Sequence, residues 1–172
     1  METVLKEKDI SSYEGKFLTF VLGNEEYGIE ILMVREIIGI MEITPVPQTP
    51  DYVKGVINLR GKVIPVIDQR IKFSMPEVQQ TQETCVIVVD VKESLIGILV
   101  DSVSEVLDIG REEIEATPQF GKEIDTQFIM GLGKTKGKLI ILLDIEKVLT
   151  TEEIKMVEEL SKENKEEKEE SS

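Results

Sequence analysis

The apolar positions along this chain come in short bursts that favour strands. Phe17-Leu18-Thr19-Phe20-Val21-Leu22 is rich in β-formers, Gly23-Asn24-Glu25-Glu26 supplies a turn, and Tyr27-Gly28-Ile29-Glu30 returns. Between Ile31 and Ile38 the period changes, and apolar residues at 31, 34, 37 and 38 predict a short helix. Pro45, Pro47 and Pro50 forbid helix and draw the chain into an extended loop. Tyr52 to Leu59 and Lys62 to Ile67 read as a hairpin closed at Arg60-Gly61, where a glycine suits a turn residue of positive φ. Pro65, inside the second strand, marks that strand as an edge or as the site of a bulge.

A polar connector over 74–83 separates this half from the next. Cys85 to Val91 and Leu95 to Val100 form a second predicted hairpin around Lys92-Glu93-Ser94, and 103–109 a further strand. Residues 111–127 are a polar excursion broken by Pro118 and Gly121. Phe128 to Gly133 and Lys138 to Leu143 make the last hairpin, turning near Lys136-Gly137. A helix is expected after Asp144, with a new start at Thr151-Glu152-Glu153-Ile154 and a thin apolar stripe at Ile154, Val157 and Leu160. The residues before Tyr13 and the Glu/Lys run after Ser161 have little to bury and are expected to be loose.

Two ordered matches make the halves alike. The stretch from Gly55 to Asp68 aligns without a gap on Gly131 to Asp144, at an offset of 76. Both hold a glycine, a basic residue before a second glycine, a lysine, four apolar positions and an aspartate. At an offset of 69, Gly28-Ile29 falls on Gly97-Ile98, and Val34, Glu36 and Ile37 fall on Val103, Glu105 and Val106. One supersecondary unit used twice is the reading this supports. Four or five short strands in each copy bury their apolar face most readily by curling into a small barrel, so two packed barrels are expected.

Composition narrows the function. The chain has 172 residues, enough for one compact domain or two fused lobes, and no apolar run long enough to span a bilayer. Its 34 acidic against 20 basic residues give a net charge of −14, a field that disfavours nucleic acid and anionic membrane surfaces. Residues 151–172 carry nine Glu and four Lys, so part of that charge is local. Histidine is absent, which excludes a Ser-His or Cys-His nucleophile pair, a histidine metal cage and a phospho-accepting histidine. The lone Cys85 opens an apolar strand and reads as a small buried hydrophobe in a reducing compartment.

Candidate chemistry is sparse. Asp68 and Asp144 occupy equivalent repeat positions after apolar strands, where capping of the next segment explains them better than catalysis. Asp90 and Asp101 sit at strand ends and suggest no more. Gly131-Leu132-Gly133 with Gly137 matches neither a Walker loop nor a dinucleotide fingerprint. Aromatic residues are 5% of the chain and tryptophan is absent, so a base-stacking platform lacks its parts. No cofactor and no metal is expected, and the chain reads as non-enzymatic.

Glu26-Tyr27-Gly28-Ile29-Glu30-Ile31, Thr44-Pro45-Val46-Pro47 and Gly55-Val56-Ile57-Asn58-Leu59-Arg60-Gly61 with Pro65 and Asp68, followed by Gly97 to Asp101 and Gly131 to Gly133, resemble the CheW family of bacterial chemotaxis coupling proteins. The likeness covers roughly 14–150. It implies a mainly β fold of two SH3-like five-stranded barrels around a shared core, with short helices and a C-terminal helix. Lobe one is expected over about 14–83 and lobe two over about 84–144, with 145–150 returning to lobe one. Residues 1–13 and the acidic 151–172 lie outside the likeness. The resemblance also implies a cytoplasmic adaptor, recruited to receptor arrays at the inner face of the membrane without inserting into it. There it would bridge the cytoplasmic tips of methyl-accepting receptors to the regulatory domain of the CheA histidine kinase. Carried over position by position, it implies a kinase-binding surface of Leu18, Ile31, Val34 and Gly55. It implies a receptor-binding groove between the lobes of Glu36, Arg60, Gly61 and Val106. Two other classes stay open on the residues alone: a small-molecule module with its pocket between the lobes and 111–127 as lid, and, more weakly, an enzyme using Asp68 or Asp144.

Overall fold

In the computed structural model, described for residues 15–72, 75–76, 79–116, 128–148, 155–156 and 159, each predicted hairpin forms. β1 (Lys16–Leu22) pairs with β2 (Glu25–Glu30), β4 (Val53–Leu59) with β5 (Lys62–Asp68), β6 (Cys85–Val91) with β7 (Ser94–Val100), and β10 (Ile129–Thr135) with β11 (Lys138–Leu143). The strands β3 (Val34–Gly39), β8 (Ser102–Asp108) and β9 (Ile114–Glu115) and the short helices α1 (Gln69–Lys72) and α2 (Ile145–Val148) complete the regular structure. Arg60-Gly61 and Lys136-Gly137 both take positive φ at two successive residues, the geometry whose twist matches that of the flanking strands.

The strands form a five-stranded sheet, β3-β6-β7-β5-β4, and a six-stranded one, β8-β1-β2-β11-β10-β9. The repeat offsets map one onto the other. β6, β7 and β3 correspond to β1, β2 and β8, and β4, β5 to β10, β11. The central parallel contact obeys the same mapping, with Val66 beside Gly97 in one sheet and Leu142 beside Gly28 in the other. Local details repeat as well. The Asp68 N–H donates to the Tyr52 carbonyl at 2.7 Å and the Asp144 N–H to that of Phe128 at 2.8 Å.

The expected lobes, 14–83 and 84–144, are not the way the strands pair. One unit comprises 34–102; the other joins the described residues up to Met33 to 103–148, which includes α2. The first hairpin of each copy has been exchanged, so that β6-β7 of the second copy complete the sheet begun by β3, β4 and β5. Since the two copies present near-identical edges, pairing within a copy and between copies satisfies the same hydrogen bonds, and the repeat pattern alone does not distinguish them.

Each unit has its own core. Ile57, Ile64, Val66, Val86, Val88 and Leu99 cluster in the five-stranded unit, with alternate residues of β5 and β6 supplying four of the six and β4 and β7 one each. Phe17, Leu107, Ile109, Ile140 and Leu142 cluster in the other. Complete burial of each such side chain contributes about 2 kcal/mol. Cys85 is buried, as its apolar strand predicted.

Two local expectations change. The helix predicted over Ile31–Ile38 is a 3₁₀ turn, Ile31–Met33, followed by β3. A bulge accounts for the false period: Val34 faces Val89 and Glu36 faces Val88, so Arg35 is an extra residue that breaks the two-residue alternation and imitates a helical one. β5, expected to be an edge or to carry a bulge because of Pro65, is interior. Its ladder with β7 covers Val66 to Asp68, leaving the missing N–H of Pro65 outside that ladder, and the bulge of this hairpin lies on the partner strand between Val53 and Gly55. The new helix start at 151–154, the frayed tail and the part of the predicted 111–127 lid from 117 on fall outside the described residues.

Candidate functional site

The bulge in β3 builds the site. On an unbroken strand Arg35 and Glu36 face opposite ways; here both line one cavity of about 530 Å³ at the end of the five-stranded unit. Its floor is apolar, made by Leu59 and Leu95 over the core residues Ile64 and Val88. Its rim is charged and is formed by two hairpin turns.

At the β4–β5 turn, Arg60 donates from Nη1 and Nη2 to both carboxylate oxygens of Glu36, at 3.0 and 2.6 Å. Since β3 and β4 are the two outer strands of this sheet, the pair joins its opposite edges. Further along, a backbone bridge ties the segment that follows β3 to β4, with Thr44 and Val56 exchanging N–H···O bonds of 2.8 and 2.9 Å. The hydrogen bonds from Arg60, reinforced by its charge and opposed by desolvation, hold the Glu36 carboxyl below the usual glutamate range. Glu36 raises Arg60 in turn. Arg60 nevertheless remains 71% exposed, so its guanidinium is held in place and open to solvent. The Gly61 N–H donates to Asn58 Oδ1, fixing the turn from beneath.

The β6–β7 turn uses the same device without glycine. Lys92 and Glu93 both adopt positive φ, and the Glu93 N–H donates to Asp90 Oδ1 at 3.0 Å. The other oxygen of Asp90 accepts from Arg35 Nη2 at 2.6 Å. Each turn is thus tied to one of two adjacent residues of β3.

The receptor-surface candidates Glu36, Arg60 and Gly61 come together here. Val106 lies on β8 in the other unit and is 52% exposed. Its repeat counterpart at the offset of 69, Ile37, is 43% exposed. Of the kinase-surface candidates, Ile31 and Val34 are half-buried and can present side chain to a partner. Leu18 is buried, and Gly55 has no side chain to offer. Gly55 is needed for another reason: its φ is +146°, and a Cβ there would sit 2.1 Å from the Thr44 carbonyl oxygen. Leu18 and Ile31 belong to one unit and Val34 and Gly55 to the other. The strongly exposed Leu32, and Arg35 and Asp90, were not singled out as binding residues by the sequence.

The aspartates act as caps. Asp68 Oδ1 accepts the Arg70 N–H and Asp144 Oδ1 the Glu146 N–H, at equivalent positions of the repeat. Asp101 receives two hydrogen bonds from the buried Arg70, which also donates to the Pro76 carbonyl. Among the described residues no group of three or more His, Cys, Asp or Glu is placed to hold a metal ion, and no helix is long and apolar enough to cross a membrane.

Comparison with known proteins shows the family. The family model for the CheW-like domain matches residues 16–153. The chain is 45% identical over 147 residues to the chemotaxis protein CheW of Klebsiella aerogenes, covering 86% of this chain and 89% of the relative. It is 34% identical over 146 residues to that of Rhizobium meliloti, covering 85% and 94%. Among solved structures, the scaffolding protein TtCheW from Thermoanaerobacter tengcongensis superposes with a TM-score of 0.73 at 36% identity, over 78% of this chain and 92% of that one. The two-lobed, mainly β, SH3-like architecture expected from the sequence agrees with that likeness.

Proposed function

This chain belongs to the CheW-like domain family, and from that premise we propose that it is a chemotaxis adaptor coupling methyl-accepting receptors to the CheA histidine kinase. The observation that carries the mechanism is Arg60, fixed by a bidentate pair yet exposed above an apolar floor. A receptor tip is a helical surface. One of its carboxylates takes the place of Glu36 on the guanidinium while an apolar neighbour enters the cavity, a helix-in-groove mode. Surface ion pairs are weak enough in water that such an exchange costs little. Gly61, at the turn beside Arg60, extends the receptor surface, and Val106 is the exposed receptor candidate that the other unit offers.

The kinase regulatory domain engages Ile31 and Val34 directly. Leu18, buried in the unit that carries Ile31, and Gly55, which lets the Thr44 backbone approach in the unit that carries Val34, act through the fold of their own units. Both partners then act on one short segment, since Val34 and Glu36 flank the bulged Arg35. Nothing observed favours the small-molecule alternative.

Separable variants test this. Val34→Met should weaken kinase binding, and Arg60→His should mainly weaken receptor engagement, in pull-down and titration with purified partners. Adding the unaltered chain should make kinase autophosphorylation responsive to receptor. If both variants bind both partners like the unaltered chain, the assignment of surfaces is wrong.

A further inference from the structure

The rim of the cavity is electrically polar, and its unpaired charges fall at opposite turns. The β4–β5 side carries Arg60 and Lys62, the β6–β7 side Asp90 and Glu93. Glu36 answers Arg60 and Arg35 answers Asp90, each in an ion pair of 2.6 Å. Lys62 and Glu93 lie on exposed backbone and make no side-chain ion pair among the described residues. In a chain of net charge −14, this mouth is balanced, with three cations and three anions, and the unpaired Lys62 and Glu93 leave one side net positive and the other net negative.

We propose that Lys62 and Glu93 set the direction in which a partner helix lies across this mouth. The occupant is a helix presenting, on one face, an acidic residue towards Arg60 and Lys62, an apolar residue into the floor over Leu59 and Leu95, and a basic residue towards Asp90 and Glu93. Residues three or four apart on a helix lie about 5–6 Å apart and share a face, so acid, apolar and base at successive turns suit a mouth bracketed by two turn tips. A cavity of about 530 Å³ takes side chains rather than a backbone, which favours a helix resting on the rim. Laid in reverse, the same helix would set like charges against each other at both turns, the arrangement by which charged rims reject a wrong orientation. The Arg35–Asp90 pair acts as a positioning element, since Asp90, neutralised by Arg35, holds the turn that carries Glu93. The inference rests on the receptor reading above and adds to it the charge order of the segment recognised.

The double swap Lys62→Glu with Glu93→Lys reverses the polarity while leaving net charge and every described ion pair intact. The probe is the soluble cytoplasmic fragment of a methyl-accepting receptor, titrated into the full chain by calorimetry, with Arg60→Ala beside it and thermal unfolding to verify the fold. Binding should fall roughly ten-fold in the swap at low salt, and the loss should shrink when salt is raised. Each single variant should give a smaller loss of the same salt dependence. If the swap binds like the unaltered chain while Arg60→Ala is weakened, the polarity inference fails and the receptor reading stands. If the unaltered chain does not bind the fragment, both are overturned.

Discussion

The same barrel mouth occurs twice in this molecule with different equipment. In the five-stranded unit Arg60 grips Glu36 through two hydrogen bonds. The repeat places Lys136 and Glu105 at the corresponding positions of the six-stranded unit. There Glu105 is approached by Lys138 at 4.0 Å, Lys138 is also within 3.6 Å of Glu26, and Lys136 forms no ion pair among the described residues. A guanidinium offers a planar fork that can be fixed and still recognise a carboxylate; an ammonium is a mobile point charge. Duplication supplied both units with the fold, and the side chains at one mouth supplied the fixed, exposed guanidinium on which the proposed receptor contact rests.

The largest effect expected from breaking the parallel lies at equivalent glycines. Gly55 combines positive φ with a carbonyl in the space of its missing Cβ; Gly131 lacks the positive φ, and its Cβ would meet the Glu115 oxygen at 2.8 Å. Gly55→Ala should therefore cost on the order of 3 kcal/mol in urea unfolding and Gly131→Ala about 1.5 kcal/mol. The same loop-to-strand approach explains the unequal strand counts. In one unit it pairs two residues as β9, while in the other Pro45, Pro47 and Pro50 limit it to the Thr44–Val56 bridge. Equal losses at the two glycines would remove the conformational part of this account.

Next in size is the first residue of each short helix. Ile145 is a buried hydrophobe, whereas its counterpart Gln69 is 1% exposed with both amide atoms lacking a hydrogen-bond partner in the protein. Gln69→Ile should raise stability by about 1–2 kcal/mol, and Ile145→Gln should lower it by at least as much. Chemical denaturation of the two variants measures both. A destabilised Gln69→Ile would mean that the amide has a structural partner.

Glycine and aspartate spacing made the hairpins, their turns and the duplication legible, because those residues meet needs of the backbone that recur wherever the unit recurs. Which copy's hairpin completes which sheet was not legible, since both choices bury the same residues and close the same ladders. The β3 bulge was hidden for the opposite reason. One inserted residue, Arg35, made Val34, Ile37 and Ile38 follow a helical period. The site suffered accordingly: Arg60 stood out as a turn residue, but its bond to Glu36 and the Arg35–Asp90 pair depend on that bulge and on opposite sheet edges meeting.

Exchanging cations between the mouths sharpens the functional side. Arg60→Lys should weaken receptor-fragment binding about five-fold, because the two-pronged geometry is lost while the charge remains. Lys136→Arg should leave that binding unchanged. Titration of both variants decides it, and equal behaviour would mean that charge alone, at either mouth, suffices.

The smallest effect concerns Glu30, whose repeat counterpart in the five-stranded unit is the buried Leu99. Burial, then the nearby Asp144 and Glu146 carboxylates, pushes the Glu30 carboxyl above its ordinary range. The folded chain therefore binds this proton more tightly than the unfolded one. At neutral pH both forms are charged and the fold carries the full penalty; as pH falls through the raised value towards the ordinary glutamate range, proton uptake relieves it. Glu30→Gln should accordingly stabilise at pH 7, by no more than about 0.5 kcal/mol because solvent still reaches the half-buried carboxyl. The gain should disappear below about pH 4, where unfolded glutamate is protonated too. Urea unfolding at both pH values separates this from packing: an equal gain at each would trace the effect to shape, and the acidic neighbours would then have no part in it.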